Sequence, residues 1–74
     1  MNKREAEIKS QKLIAELAEI RKLQKVSRSK IAKNLGMSTT TITKIETFEQ
    51  TPKLSTLYLI ADFLDCDIQL SLKK

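Results

Sequence analysis

The sequence has no histidine or tryptophan, and its 74 residues include only one cysteine, one glycine and one proline. Without histidine and with a lone cysteine, the usual zinc-ligand sets, an intrachain disulfide and the common acid–base residue of hydrolases are excluded. A single glycine cannot form a glycine-rich phosphate loop. The carboxylates left for catalysis, Asp62, Asp65 and Asp67, lie where aspartates ordinarily end helices and occupy turns. We therefore predict that the chain is not an enzyme and uses no metal, cofactor or small-molecule substrate.

Long apolar runs are also missing. No stretch approaches the roughly 20 apolar residues of a membrane span, and the first twelve residues, MNKREAEIKSQK, place charges where a secretion signal has its apolar segment. We expect a cytoplasmic protein without membrane association. A chain of 74 residues forms one domain with a small core, so self-association would usefully bury more apolar surface.

The sequence does contain a concentration of positive charge. The net charge is +5, and the segment from Arg21 to Ile45 contains seven basic residues and no acidic residue. A basic segment of this kind predicts a polyanionic partner, and nucleic acid is the class that it suits best.

The apolar periodicity near the N-terminus predicts a helix from about Ile8 to Gln24. Its apolar positions recur at spacings of four, three and three residues on one stripe: Leu13, Leu17, Ile20 and Leu23, with Ile14 at its edge. Residues 1–7 are mostly charged, so we expect a flexible arm there. Residues 8–66 then form the domain itself.

Two short helices joined by a glycine turn are predicted next, between Val26 and Glu46. Ser27 can cap the first of them. Its buried side consists of apolar residues about one turn apart: Ile31, Ala32 and Leu35. Gly36 ends this helix because glycine enters the left-handed conformation without steric cost, and Ser38 is placed to cap the next helix.

The helix that follows Ser38 has two different faces. At 100° per residue, one side consists of Thr41, Ile42 and Ile45. The other side is entirely polar: Thr39, Thr40, Thr43, Lys44 and Thr47. Threonine hydroxyls and methyls and a lysine amine suit base edges in the DNA major groove; the alternative is an ordinary solvated surface. Because threonine is a mediocre helix former, a run of three favours the functional interpretation.

Further basic residues flank this polar face. We predict phosphate contacts for them and for the last threonine of the face: Arg28, Lys30, Lys33, Thr47 and Lys53. A short helix, a tight turn and a second helix with a polar outer face are the layout of a helix-turn-helix DNA-binding motif. Double-stranded DNA is therefore the predicted partner.

After a proline turn, another helix is predicted from about Leu54 or Ser55 to Leu64. Its core face has the spacing of a buried helical stripe: Leu54, Leu57, Ile60, Ala61 and Leu64. Leu59 and Phe63 add an apolar pair beside this face. The pair is either the edge of the core or a contact surface for a second copy.

The last predicted element is a strand over residues 67–72, DIQLSL, where polar and apolar residues alternate. Ile68, Leu70 and Leu72 share one side of it. A strand alone in a helical chain would leave its backbone groups unpaired, so we predict that it pairs antiparallel with the same strand of a second copy across a two-fold axis. The alternative is a disordered polar tail.

The segment from Val26 to Leu64 resembles the Cro/C1-type (Xre) helix-turn-helix family. It matches the family pattern of helix cap, apolar pair, glycine turn and closing glutamate at these positions: Ser27, Ile31, Ala32, Gly36 and Glu46. Within that family it most resembles HipB-like antitoxins, because GMSTTTITKIE, a proline-containing loop, LSTLYLIADFL and DIQLSL follow in the same order and spacing.

The resemblance assigns roles to individual residues. Base contacts fall to the outer face of the second helix of the motif and to its cap: Ser38, Thr39, Thr40, Thr43 and Lys44. It also implies an ion pair between Arg21 and Glu46, which otherwise are ordinary surface charges. Two glutamines that brace each other in relatives are replaced here by Arg28 and Thr39, so that brace must be absent or different.

For the whole chain, the resemblance implies an all-α, lambda-repressor-like bundle of four to five helices whose C-terminal strands pair across a homodimer. It implies a bacterial, phage or plasmid origin, and a repressor of its own toxin–antitoxin operon that binds a palindromic operator and a kinase-like toxin. Two alternatives stay open: a stand-alone phage or plasmid repressor, and a toxin-neutralising interaction protein with secondary DNA binding. A neighbouring toxin gene, or a larger protein that co-purifies, would separate them.

Overall fold

A computed structural model describes residues 1–70, which contain four α-helices. They are α1 (Lys3–Leu23), α2 (Arg28–Leu35), α3 (Thr39–Glu46) and α4 (Leu54–Phe63). The most extensive packing is between α2 and α3, and α1 and α4 each contact a member of that pair as well as each other. The prediction of an all-helical bundle is therefore confirmed for the described residues. None of these helices is long and apolar enough to span a bilayer.

One apolar core joins all four helices. Its buried residues are Ile14, Leu17, Ile31, Ala32, Ile42, Ile45, Leu57, Ile60, Ala61 and Leu64. The four largest side chains that are almost completely buried are Ile31, Ile42, Ile45 and Leu64. Since α2 and α3 supply four of these ten residues, their mutual orientation is fixed by close packing rather than by the turn alone.

The first helix starts earlier than predicted and buries a different stripe. Asn2 caps it, because its Oδ1 accepts a hydrogen bond from the Glu5 amide at 2.8 Å, so residues 3–7 form the first turns of α1. They are exposed, and the flexibility expected of residues 1–7 stays a prediction. Leu23 is 74% exposed, and the prediction that it belongs to the buried stripe is wrong. The inward position one turn after Leu17 is Arg21, a buried charged residue.

The fourth helix follows the predicted bounds closely. It ends at Phe63, with Leu64 buried immediately after it. Leu54 is predicted to lie in the core but is largely exposed. It is the first residue of α4, and the buried face of the helix begins only at Leu57. Leu59 is half-exposed, whereas Phe63 packs against the core at its edge.

Residues 66–70 form neither a helix nor a strand in the single chain. Ile68 is partly buried against the core, whereas Leu70 is fully exposed. Leu72, the third apolar residue of the predicted strand, lies outside the described residues. A strand needs a hydrogen-bonding neighbour, and within residues 1–70 there is no other strand to supply it. Pairing with a second copy therefore stays a prediction.

All four helices end in the same way, with a residue in the left-handed conformation. Gly36, at φ 68°, is the one predicted from sequence. Lys25, Phe48 and Asp65 occupy the same conformation at φ 58°, 65° and 60°. In each case two backbone hydrogen bonds close the helix end; after α1 they run from Lys25 N–H to Lys22 C=O and from Val26 N–H to Arg21 C=O, the Schellman pattern. Three of the four turns are thus made by residues other than glycine.

Candidate nucleic-acid interface

The two helices of the predicted motif are each fixed at their N-termini by a serine cap. Ser27 Oγ accepts a hydrogen bond from the Lys30 amide at 3.0 Å, and Ser38 Oγ accepts one from the Thr41 amide at 3.1 Å. Both caps are where the sequence predicts them. Between the helices, Met37 N–H donates to Ala32 C=O at 2.8 Å, which completes the tight turn. The result is a rigid helix–turn–helix unit over residues 28–46.

The third helix has one buried and one exposed side. Ile42 and Ile45 are 1% and 2% exposed and belong to the apolar core. On the opposite side Thr39, Thr40 and Lys44 are exposed. Thr43 on that side is half-buried. This polar face, Thr39, Thr40, Thr43 and Lys44, is hereafter called the outer face of α3.

Two of the candidate residues already use their hydroxyl groups within the protein. Ser38 Oγ also forms a hydrogen bond with Thr41 Oγ1 at 2.8 Å. Thr47 Oγ1 lies 2.9 Å from the Thr43 carbonyl and 2.7 Å from Glu49 Oε2. Since Glu49 is an acid beside Thr47, a DNA phosphate would be repelled there. The helical pattern does not reveal this neighbour, and Thr47 is a weaker candidate for phosphate binding than the lysines.

The lysines predicted to bind phosphates lie on the surface. Lys30 and Lys33 are exposed on α2, and Lys53 is exposed immediately before α4. Their flexible side chains can follow a phosphate backbone that approaches the outer face of α3.

Arg21 and Glu46 form the ion pair that the family resemblance implies. Arg21 Nε lies 2.8 Å from Glu46 Oε2, and Arg21 Nη2 lies 3.0 Å from Oε1, so the contact is bidentate. Arg21 Nη1 also donates to the Val26 carbonyl at 2.9 Å. The pair therefore ties the end of α1 to the end of α3 and to the loop that enters α2.

Arg28 joins the same cluster, a contact that the sequence pattern does not predict. Its Nε donates to Glu46 Oε1 at 2.8 Å, and its Nη1 lies 3.5 Å from Thr43 Oγ1. Its side chain is 36% exposed, compared with 10% for that of Glu46. Arg28 was predicted to bind phosphate, but two of its nitrogens are directed into the protein. One carboxylate thus connects arginines from α1 and α2. Arg28 bonds to Glu46 and Thr43, and among the described residues it makes no hydrogen bond to Thr39.

The ionisation of Glu46 reflects this surrounding. Burial would raise the pKa of its carboxyl, but the hydrogen bonds and positive charges of Arg21 and Arg28 outweigh burial, and the pKa lies below the ordinary value of a glutamate. Glu46 is therefore ionised at neutral pH, and the cluster of two arginines and one glutamate has a net charge of +1. No buried polar side-chain atom among the described residues lacks a hydrogen-bond partner.

A comparison with known protein families agrees with this geometry. A family model described as helix-turn-helix matches residues 17–70, which include the end of α1 and the whole of α2, α3 and α4. No curated protein and no solved structure matches the chain closely enough to be counted as similar. Because the matched segment covers most of the chain and contains the complete motif, the chain belongs to the Cro/C1-type helix-turn-helix family of sequence-specific DNA-binding regulators.

Proposed function

We propose that the chain is a transcriptional repressor that binds a palindromic operator as a homodimer, with α3 in the major groove. The observation that carries the proposal is the outer face of α3: four polar side chains on a helix whose other side is fixed in the core. A helix presented in this way can enter the major groove, which has the width of an α-helix.

The chemistry of the outer face suits base edges. Thr39, Thr40 and Thr43 are short, so the helix backbone can approach the groove floor closely. Their hydroxyls can bond base edges and their methyls can pack on thymine methyls, and the Lys44 amine can donate to guanine O6 or N7. Ser38 caps the N-terminal end of α3, where its hydroxyl can also reach the DNA backbone or a base. These contacts would supply sequence preference.

Phosphate contacts would supply affinity and register. In this proposal Lys30, Lys33 and Lys53 bind the backbone on either side of the groove, and each neutralises one phosphate. Arg28 and Thr47 would contribute less, because Glu46 and Glu49 already occupy part of their hydrogen-bonding capacity.

An exposed apolar surface supports dimerisation. Tyr58 and Leu59 on α4 are about half-exposed, and together with Ile68 they line an open groove. Leu70, two residues after Ile68, is fully exposed. A small monomer rarely leaves so many large apolar side chains in water. The proposed interface consists of the following residues: Leu59, Phe63, Ile68, Leu70 and Leu72.

The finer biological role that we propose is that of a HipB-like antitoxin, which represses its own toxin–antitoxin operon and binds a kinase-like toxin. Its support is the order and spacing of the C-terminal half of the sequence. The toxin would be found by co-purification with the tagged chain from its native host. If the chain represses its operator but no larger protein co-purifies with it, the chain would instead be a stand-alone repressor.

The proposal is tested by selecting duplexes from a random library with the purified chain. We expect a palindromic motif whose half-sites are centred about one helical turn, or 34 Å, apart. The selected site, placed over a promoter, should then lower expression of a reporter when the chain is present. Enrichment of no motif would contradict sequence-specific binding, and a single unpaired half-site would contradict the dimer.

A further inference from the structure

We infer that Arg28 is a positioning residue that orients the hydroxyl group of Thr43 and thereby selects which base edge Thr43 can bind. This inference rests on the proposed function, in which Thr43 faces the bases. It assigns to Arg28 a role in specificity, in addition to the phosphate contact predicted from its charge alone.

The geometry places one guanidinium group between two acceptors on α3. Arg28 Nε is held at 2.8 Å by Glu46 Oε1, which is itself fixed by Arg21. Because the guanidinium is planar and rigid, this anchoring also fixes Nη1, which lies 3.5 Å from Thr43 Oγ1. The cation therefore lies beside the Thr43 hydroxyl at a position set by the most buried ion pair among residues 1–70.

A threonine hydroxyl in a helix usually has a backbone carbonyl within reach as an alternative hydrogen-bond partner. It can rotate to donate to the carbonyl four residues earlier, and Thr47 does so with the Thr43 carbonyl at 2.9 Å. Among the described residues, Thr43 makes no bond of that kind; the bond recorded for its hydroxyl is the one with Arg28. The 3.5 Å hydrogen bond is long, but a neighbouring positive charge orients the hydroxyl dipole even where the hydrogen bond itself is weak.

The orientation has a chemical consequence. The oxygen of Thr43 turns toward the guanidinium, which has only donors, and the hydroxyl proton must point away from it. A free threonine hydroxyl can donate or accept and so discriminates poorly among bases. An oriented one has one lone pair facing the guanidinium and its proton directed outward, so it favours the acceptors of the major groove, which are guanine O6 and N7, adenine N7 and thymine O4, over the cytosine amino group.

The test compares the base preference of four proteins at every position of the selected site: wild type, Thr43→Val, Arg28→Met and the double variant. Valine has the shape of threonine without the hydroxyl, and methionine removes the charge and all donors of Arg28. Lys30→Met is the matched control, because it removes one exposed positive charge from the same helix. Thermal melts establish that each variant is folded.

We expect Thr43→Val to lose about tenfold of discrimination at one base pair of each half-site, the scale of a single base contact. Arg28→Met should lose the same discrimination at the same base pair, and the double variant should lose no more than either. Lys30→Met should weaken all duplexes equally and leave the base preference unchanged.

Two results would overturn the inference. In one, Arg28→Met weakens every duplex alike and keeps the preference at the Thr43 position, as a plain phosphate contact would. In the other, the two single variants lose discrimination at different base pairs. If Arg28→Met does not fold, Arg28→Lys takes its place, because an ammonium on a flexible stem can pair with Glu46 but lacks the rigid planar fork that fixes a second donor beside Thr43. A wild-type chain without any base preference would instead contradict the proposed function.

Discussion

Arg21 and Glu46 meet in a bidentate contact at the junction of α1 and α3, at 2.8 and 3.0 Å, with each side chain only 10% exposed. They are 25 positions apart in the sequence. At this level of burial neither charge is well solvated, so each depends on the other for its stability. The addition of Arg28 to the same carboxylate extends the contact to α2, and the cluster fixes the orientation of the helix that we propose to enter the groove.

The first prediction concerns the loss of Glu46. Replacing it with alanine leaves the buried Arg21 guanidinium without its partner, and we expect unfolding free energy to fall by about 3–5 kcal/mol, the cost of breaking a buried pair. Urea denaturation measures the change. Glu49→Ala, an exposed acid three residues later, is the control and should cost under about 1 kcal/mol. A double-mutant cycle through Arg21→Ala that shows additive losses would mean that the two residues do not interact.

The second prediction concerns pH. Because the pKa of Glu46 is lowered in the folded state by the two arginines, the unfolded chain binds its proton first as the pH falls. The stabilisation is therefore complete above the ordinary pKa of a glutamate and is lost as the pH falls from there through the lowered folded value. Melts of wild type and Glu46→Gln across this window should converge toward acid pH. Parallel curves would contradict the assignment.

The third prediction concerns the left-handed residue after α1. Lys25 is exposed and has a φ of 58°, a conformation that costs about 1–2 kcal/mol for a residue with a side chain and none for glycine. After the greater entropy loss of glycine is subtracted, Lys25→Gly should stabilise the fold by about 0.5–1 kcal/mol. Lys22→Gly, inside the last turn of α1, removes the same charge at a helical position and should destabilise by about 1 kcal/mol. Equal signs in thermal melts would contradict this reasoning.

These turns illustrate where prediction from sequence ends. Gly36 could be predicted because glycine is the residue type that signals a left-handed turn. Lys25, Phe48 and Asp65 give no such signal, and their conformation follows from the two hydrogen bonds that close each helix. The serine caps at Ser27 and Ser38 were predictable because the capping bond is local, formed within three residues.

The ion cluster shows the same limit over a longer distance. Helical periodicity assigned Leu23 to the core, but the buried position is Arg21, whose charge is accepted only because Glu46 reaches it from another helix. No local sequence pattern links the two residues. Only the family resemblance predicts that they pair. It does not predict the position of Arg28, because the resemblance shows a different residue there and the new contact depends on the length of arginine.

The fourth prediction separates specificity from affinity. Lys44→Ala should lose about 1–3 kcal/mol of binding free energy on the selected site and much less on random DNA, because Lys44 lies on the outer face of α3. Lys33→Ala should weaken both duplexes alike and lower the slope of log affinity against log salt by about one unit. Lys9→Ala, on the exposed first half of α1, is the charge-matched control. Equal losses by Lys44→Ala on both duplexes would make Lys44 a backbone contact.

The last prediction concerns the C-terminal segment. Ile68 is partly buried while Leu70 is fully exposed in the single chain, which is the state expected of a segment whose partner is a second copy. Deleting residues 67–74 should therefore weaken dimerisation, measured by sedimentation. Affinity for a palindromic site should fall with it, while weak half-site binding remains, because two recognition helices about 34 Å apart require both protomers.

A second variant distinguishes the two parts of the proposed interface. Leu59→Asp places a charge in the apolar groove of α4 and leaves the C-terminal segment intact. If the truncated chain is as tight a dimer as the full chain and Leu59→Asp is a monomer, then α4 forms the interface and the strand does not. If truncation alone gives the monomer, the terminal segments join the protomers, and the exposed apolar face of α4 is available to a different partner.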